Sequence, residues 1–177
     1  MPKQQAGSPW TPPPGVDFGW RAHQAIQEWT RSVDAKASIV LTFETVVAAV
    51  AARELAKDTG AFANATGFKL VIAIAIGALL GVAVLAAVSV VLPRLARRRT
   101  RKHYADGLIY FGHLRLRSVD DIAKALEGLE DGRVIRQLAS QLSVTSKVAW
   151  RKHASLQLSI ACFVLGALGL VAGLIGY

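Results

Sequence analysis

The chain has 177 residues, 53% of them apolar, and its 21 Lys and Arg against 12 Asp and Glu leave a formal net charge of +9. Once its long apolar stretches are set aside, too little chain remains for a separate catalytic domain of ordinary size, so one membrane domain is the economical reading. A lone cysteine, Cys162, excludes an intramolecular disulfide and a thiolate metal site.

Residues 1–15 (MPKQQAGSPWTPPPG) hold five of the six prolines and little that could bury, which predicts a disordered tail over 1–16. From Asp17, placed as an N-cap, Ala22, Ile26, Trp29 and Val33 recur at spacings of four and three. This predicts a cytoplasmic helix that continues into a first transmembrane helix, together covering 17–57. Its apolar part, ASIVLTFETVVAAVAA from Ala37 to Ala52, is only 16 residues long and is interrupted by Glu44. Periodicity does not settle whether so short a run spans. The polar stretch that follows, an external loop over 58–67 with Gly60 and Gly67 suited to a turn, favours a hairpin of two antiparallel spans.

Leu70 to Leu92 runs 23 residues without a charge. At about 1.5 Å per residue that reaches roughly 35 Å, enough for a hydrocarbon core of about 30 Å. The second span is set at 68–92, ended by Pro93. The run RLARRRTRKH that follows is either a stop-transfer cluster on anionic headgroups or a phosphate-binding wall for a nucleotide.

Helices are expected over 93–153 in a basic cytoplasmic region. One runs from His103 to Leu116 with Tyr104, Leu108, Phe111 and Leu114 on one face. Another opens at Ser118, an N-cap followed by Asp120 and Asp121, and carries Ile122, Leu126 and Leu129. A third stripe of Ile135, Leu138, Leu142, Thr145 and Ala149 continues unbroken into the last span, 154–177, again without a charge. Gly166, Gly169 and Gly173 would let third spans of neighbouring chains approach closely, so a homo-oligomer is expected.

Residues 94–152 hold 14 basic and six acidic side chains, which places that loop in the cytoplasm. The expected fold is an all-α integral membrane protein with three transmembrane helices, N-in and C-out, and a helical cytoplasmic region between spans two and three. The first span acts as its own uncleaved targeting signal.

Catalytic patterns are missing. His23, His103, His113 and His153 show no spacing that builds a metal site or a nucleophile with its base, and no Gly-rich phosphate loop or nucleophile elbow occurs. The reading is a non-enzyme with no catalytic residue, metal or cofactor, its basic residues meeting lipids or a small anion and not nucleic acid. Glu44 needs an explanation, because a carboxylate in mid-bilayer costs about 2.5 kcal/mol or more unless it faces protein or water. It either ties spans together near Thr42 and Thr45 or serves as a pore or gate residue. Asp34 and Lys36 stand at the mouth of the first span, two apart and therefore not facing each other, available to pair with the basic loop.

HQAIQEWTRSVDAK (His23 to Lys36) running into ASIVLTF, LIYFGHL at Leu108 to Leu114, and QLASQLSVTSKVAWRKH (Gln137 to His153) before the final span resemble one family in order and spacing. It is that of the membrane-spanning effectors of Pycsar, a bacterial antiphage system that signals with cyclic pyrimidine nucleotides. The resemblance covers most of residues 20–177. It implies a multi-pass protein of the bacterial plasma membrane that senses cCMP or cUMP made by an adjacent cyclase and impairs the membrane, causing abortive infection. On that footing the phosphate falls to Arg97, Arg98, Arg99, Arg101 and Lys102, with Asp34 and Lys36 coupling the bound state to the helices and Glu44 as a gate; Tyr110, Arg115 and Arg117 form a second possible site. A membrane adaptor that docks a partner through its cytoplasmic helices and a small unregulated pore are the alternatives.

Overall fold

The computed structural model describes residues 12–56, 66–92 and 107–175. Its elements are α1 (Pro14–Leu55), α2 (Phe68–Val91), α3 (Phe111–Leu114), α4 (Val119–Glu127) and α5 (Asp131–Ile175). Among them α1, α2 and α5 are long and apolar enough to cross a membrane.

α1 starts three residues before the expected Asp17. The amides of Val16 and Asp17 donate to the Pro13 carbonyl at 2.9 and 3.1 Å, and Pro14 takes the first helical position, where it has no N–H to leave unmet. Asp17 is thus a first-turn acid favoured by the helix dipole, 3.0 Å from Arg21, and not the cap. The remaining tail, residues 1–11, lies outside the described residues, as do Gly60 and most of the 58–67 loop.

Burial along the long helices alternates in steps of three and four. On α1 one ladder of covered positions is 16, 19, 23, 26, 30, 33, 37, 40, 44, 47 and 51, which contains every buried residue of that helix; on α5 a ladder runs from Leu138 through 142, 145, 149, 152, 156, 159, 163 and 166 to Leu170; on α2 from Ala73 through 76, 80, 83 and 87 to Val90. A mean step of 3.5 residues keeps one seam facing its neighbours when helices wind left-handedly. The expected stripe on α1 shares Ile26 and Val33 with this seam, but Trp29 is exposed. Both ladders have the same spacing; what selects the phase is Gly19, where an added Cβ would stand 2.3 Å from Leu138 Cδ2. On α5 Ile135 falls outside the seam and the other four expected residues fall inside it.

The chain divides into two compact units. The first holds residues 14–27 of α1, the 107–127 segment and residues 131–147 of α5. The helix expected over 103–116 is, among the described residues, the single turn α3. Gly107 to Tyr110 are not helical, because the Leu108 amide donates to Gln137 Oε1 of α5 at 3.0 Å and not to a carbonyl of its own segment. The Tyr110 ring closes this corner against Phe111 and His113, with centroids 4.7 and 5.2 Å apart. α4 begins as its sequence requires: Ser118 Oγ accepts from the Asp121 amide at 3.1 Å and donates to Asp121 Oδ2 at 2.8 Å. These bonds from Ser118 hold the Asp121 carboxyl below the usual aspartate range.

The second unit holds residues 28–55 of α1, α2, and residues 148–175 of α5. Val33 and Ala37 pack with Val90 and Leu156, while Ala51 packs with Ala73, Ile76, Leu80 and Leu170. Residue numbers therefore rise together along α1 and α5 and fall along α2: the first two run parallel and α2 returns between them in sequence. Gly67 opens α2 with φ +58°, a conformation glycine adopts without strain. Leu92 is extended at the other end, as a residue before proline should be.

Gly166 and Gly169 face α2 of the same chain. A Cβ at either would stand 2.9 Å from Leu80 Cδ2 or 3.0 Å from Ile76 Cγ1, so both admit α2 of the same chain. Van der Waals packing of this closeness replaces the hydrophobic drive that lipid cannot supply.

Candidate functional site

An apolar bundle in lipid has little reason to keep polar side chains in its seam, so those it keeps mark the candidate site. Within the second unit α5 carries them at Lys152 and Ser159, seven residues apart, and α1 carries Thr30 and Glu44 in its own ladder. Lys152, Ser159 and Glu44 make contacts between α1 and α5.

At the end where α1 and α5 enter the unit, Lys152 Nζ donates to both carboxylate oxygens of Asp34 at 2.5 and 2.8 Å. The side chains are 21% and 40% exposed, so the pair is only partly desolvated. Its strength belongs near the upper end of exposed ion pairs, about 1 kcal/mol. Asp34 thus pairs with the last cation of the 94–152 region. Lys36, two residues on, is exposed and apart from this contact.

Deeper in the bundle, Ser159 Oγ donates to Glu44 Oε1; Glu44 is 1% exposed and Ser159 fully buried. Glu44 Oε2 is buried with no partner among the described residues. Thr42 and Thr45 do not help: their hydroxyls donate to the Ser38 and Thr42 carbonyls of their own helix at 3.0 and 2.9 Å. The contact made by Glu44 is therefore with α5, across the seam. A polar pair of this kind contributes on average about 0.6 kcal/mol in a membrane bundle, at most about 1.7. Its larger effect is on specificity, because a shift of α1 against α5 would strand the carboxyl in hydrocarbon.

Arg97, Arg98, Arg99, Arg101 and Lys102 lie outside the described residues. Of the second possible site, Arg115 is exposed and Tyr110 is half-buried in its ring contacts. Among the described residues no group of three or more His, Cys, Asp or Glu could hold a metal ion. His153 Nδ1–H donates to the Ala149 carbonyl at 2.9 Å, and His23 stands edge-on to Trp20 with its Nδ1 buried and without a hydrogen-bond partner among the described residues. Lys152 and Ser159 were not singled out by sequence reasoning. Their signal was present as polar residues one heptad apart in an otherwise apolar ladder, but it has meaning only once that ladder is known to face α1.

No curated protein and no solved structure gives a match to this chain. A family model described as PycTM, a Pycsar effector protein domain, matches residues 18–177. That range begins one turn into α1 and includes every later element, with both α1–α5 contacts, and the chain belongs to the Pycsar effector family, as a transmembrane antiphage effector.

Proposed function

We propose that the protein is the membrane effector of a Pycsar-type defence system, gated by a cyclic pyrimidine nucleotide, cCMP or cUMP, which an adjacent cyclase makes on infection. Binding reorganises the bundle, the plasma membrane is impaired, and the infected cell stops growing before phage mature. The end of the bundle bearing Asp34 and Lys152 faces the cytoplasm, in the N-in, C-out sense, and the cations of 97–102 hold the cyclic phosphate. The active form is a homo-oligomer in lipid.

The observation that carries this reading is the Glu44–Ser159 contact in the middle of an apolar bundle of that family. A three-helix unit needs no carboxyl to be stable in lipid, so its presence fits a unit with more than one arrangement to specify. The Asp34–Lys152 pair adds a contact weak enough to be broken at modest expense when the helices reorganise.

Dye release from liposomes containing the purified protein tests the proposal, with cCMP, cUMP and cAMP added on the side that exposes the basic loop. Release with one pyrimidine nucleotide and none with cAMP is expected. Folded, inserted protein that releases dye with no nucleotide at all is an unregulated pore; protein silent towards all three is the docking adaptor.

A further inference from the structure

The end of the second unit that carries the Asp34–Lys152 pair also carries a tryptophan on each parallel helix, both turned out of the seam. Trp29 is 62% exposed and Trp150 77% exposed. The ion pair ties the heights of α1 and α5 together. Trp29 lies five residues before Asp34 and Trp150 two before Lys152, about 7.5 and 3 Å along their axes. Beyond the pair the helices turn apolar at once, from Ala37 on α1 and from Ala154 on α5, and Val90 of α2 packs at the level of Val33 and Ala37.

Among the described residues of the unit, three cations are exposed at this height, Arg31 and Lys36 on α1 and Arg151 on α5, against the exposed acid Glu28 and the partly exposed Asp34 that Lys152 already pairs. Among the described residues of the unit, its other end has no tryptophan. An indole left in water exposes a large apolar ring and gains nothing from it, whereas at a bilayer boundary the ring meets acyl chains and its N–H meets headgroup oxygens. Cations in the same plane favour headgroups with negative charge, by about 1 kcal/mol each near an anionic surface.

We propose that Trp29 and Trp150, with Arg31, Lys36 and Arg151, form a belt that seats this end of the bundle on the phosphates of anionic phospholipids. The chemistry recognised is a phosphate monoanion, and its source is the lipid headgroup. The inference rests on the bundle spanning a membrane and is independent of the nucleotide reading.

Trp10 and Trp20 are replaced by Phe, so that emission comes from Trp29 and Trp150, and the full-length protein is placed in mixed vesicles of phosphatidylglycerol and phosphatidylcholine. One lipid at a time carries brominated acyl chains as a quencher. At equal bromine content the brominated anionic lipid should quench at least twice as strongly as the brominated zwitterionic one. In the variant R31Q/K36Q/R151Q the two should quench equally, while continued quenching by the zwitterionic lipid reports that the rings are still inserted. Equal quenching in the parent, no quenching by either lipid, or a preference that survives the triple substitution would each overturn the proposal. So would a preference that disappears when chloride is exchanged for inorganic phosphate at matched ionic strength, which would make this a site for a soluble anion.

Discussion

Ser159→Ala removes one hydroxyl from the centre of the bundle and leaves Glu44 with neither oxygen partnered among the described residues. The lost interhelical bond accounts for about 0.6 to 1.7 kcal/mol, and the newly stranded acceptor adds about 1 kcal/mol or more. We expect the unfolding free energy to fall by roughly 2 kcal/mol, a factor of about 30 in the folding equilibrium. Replacing Glu44 by Leu in the same background removes the stranded group and restores stability to the parent value or above, because an apolar side chain in the seam meets no penalty in lipid. The two substitutions must therefore be non-additive, with a coupling of at least 1 kcal/mol. The measurement is reversible unfolding in mixed detergent micelles, following helicity as the denaturing detergent is raised. A Ser159→Ala variant within 0.3 kcal/mol of the parent, or a double variant no better than Ser159→Ala, would refute the reasoning. If E44L is stable but fails to release dye, the carboxyl is kept for function and not for stability.

Glycine substitutions on the membrane helices should split by face: Gly166→Ala forces Leu80 to move and destabilises by about 1 to 3 kcal/mol, whereas Gly81→Ala, with open space around it, is neutral or stabilising in the same unfolding assay. Asp34→Asn and Lys152→Gln should each lower the nucleotide concentration needed for half-maximal dye release, by up to about fivefold for a pair near 1 kcal/mol; a rise in that concentration would show that Lys152 binds the ligand instead. The Asp121 carboxyl, held down by Ser118, favours α4 most above the ordinary aspartate range, and that contribution is lost as pH falls through its lowered folded value. In Ser118→Ala the Asp121 titration followed by NMR should move up to the ordinary range, and no movement would contradict the N-cap assignment.

The chain alone determined that α2 and the last part of α5 would be spans, since Leu70 to Leu92 and Ala154 to Tyr177 contain no charge and only a hydrocarbon surround rewards that. The same holds for Ser118, whose cap depends on residues three apart and nothing further away. The 103–116 helix failed for the opposite reason. Its amphipathic spacing was real, but Gln137 from 29 residues along the chain takes the Leu108 amide, and a local propensity worth tenths of a kcal/mol per residue yields to such a bond. Asp34 and Glu44 were legible as polar residues out of place, yet their partners were not. Lys152 and Ser159 lie 118 and 115 residues away, and heptad spacing admits several phases and registers between two parallel helices. Only close packing chose among them. Gly19 against Leu138 set the phase of α1 in the first unit, and Gly166 and Gly169 against Leu80 and Ile76 turned the glycine face of α5 towards α2 in the second. Composition and period thus determine which segments enter the membrane, through solvation that each residue meets independently of the others. Which polar groups meet inside it is decided by contact distances between helices, a property of the assembled bundle that no segment carries by itself.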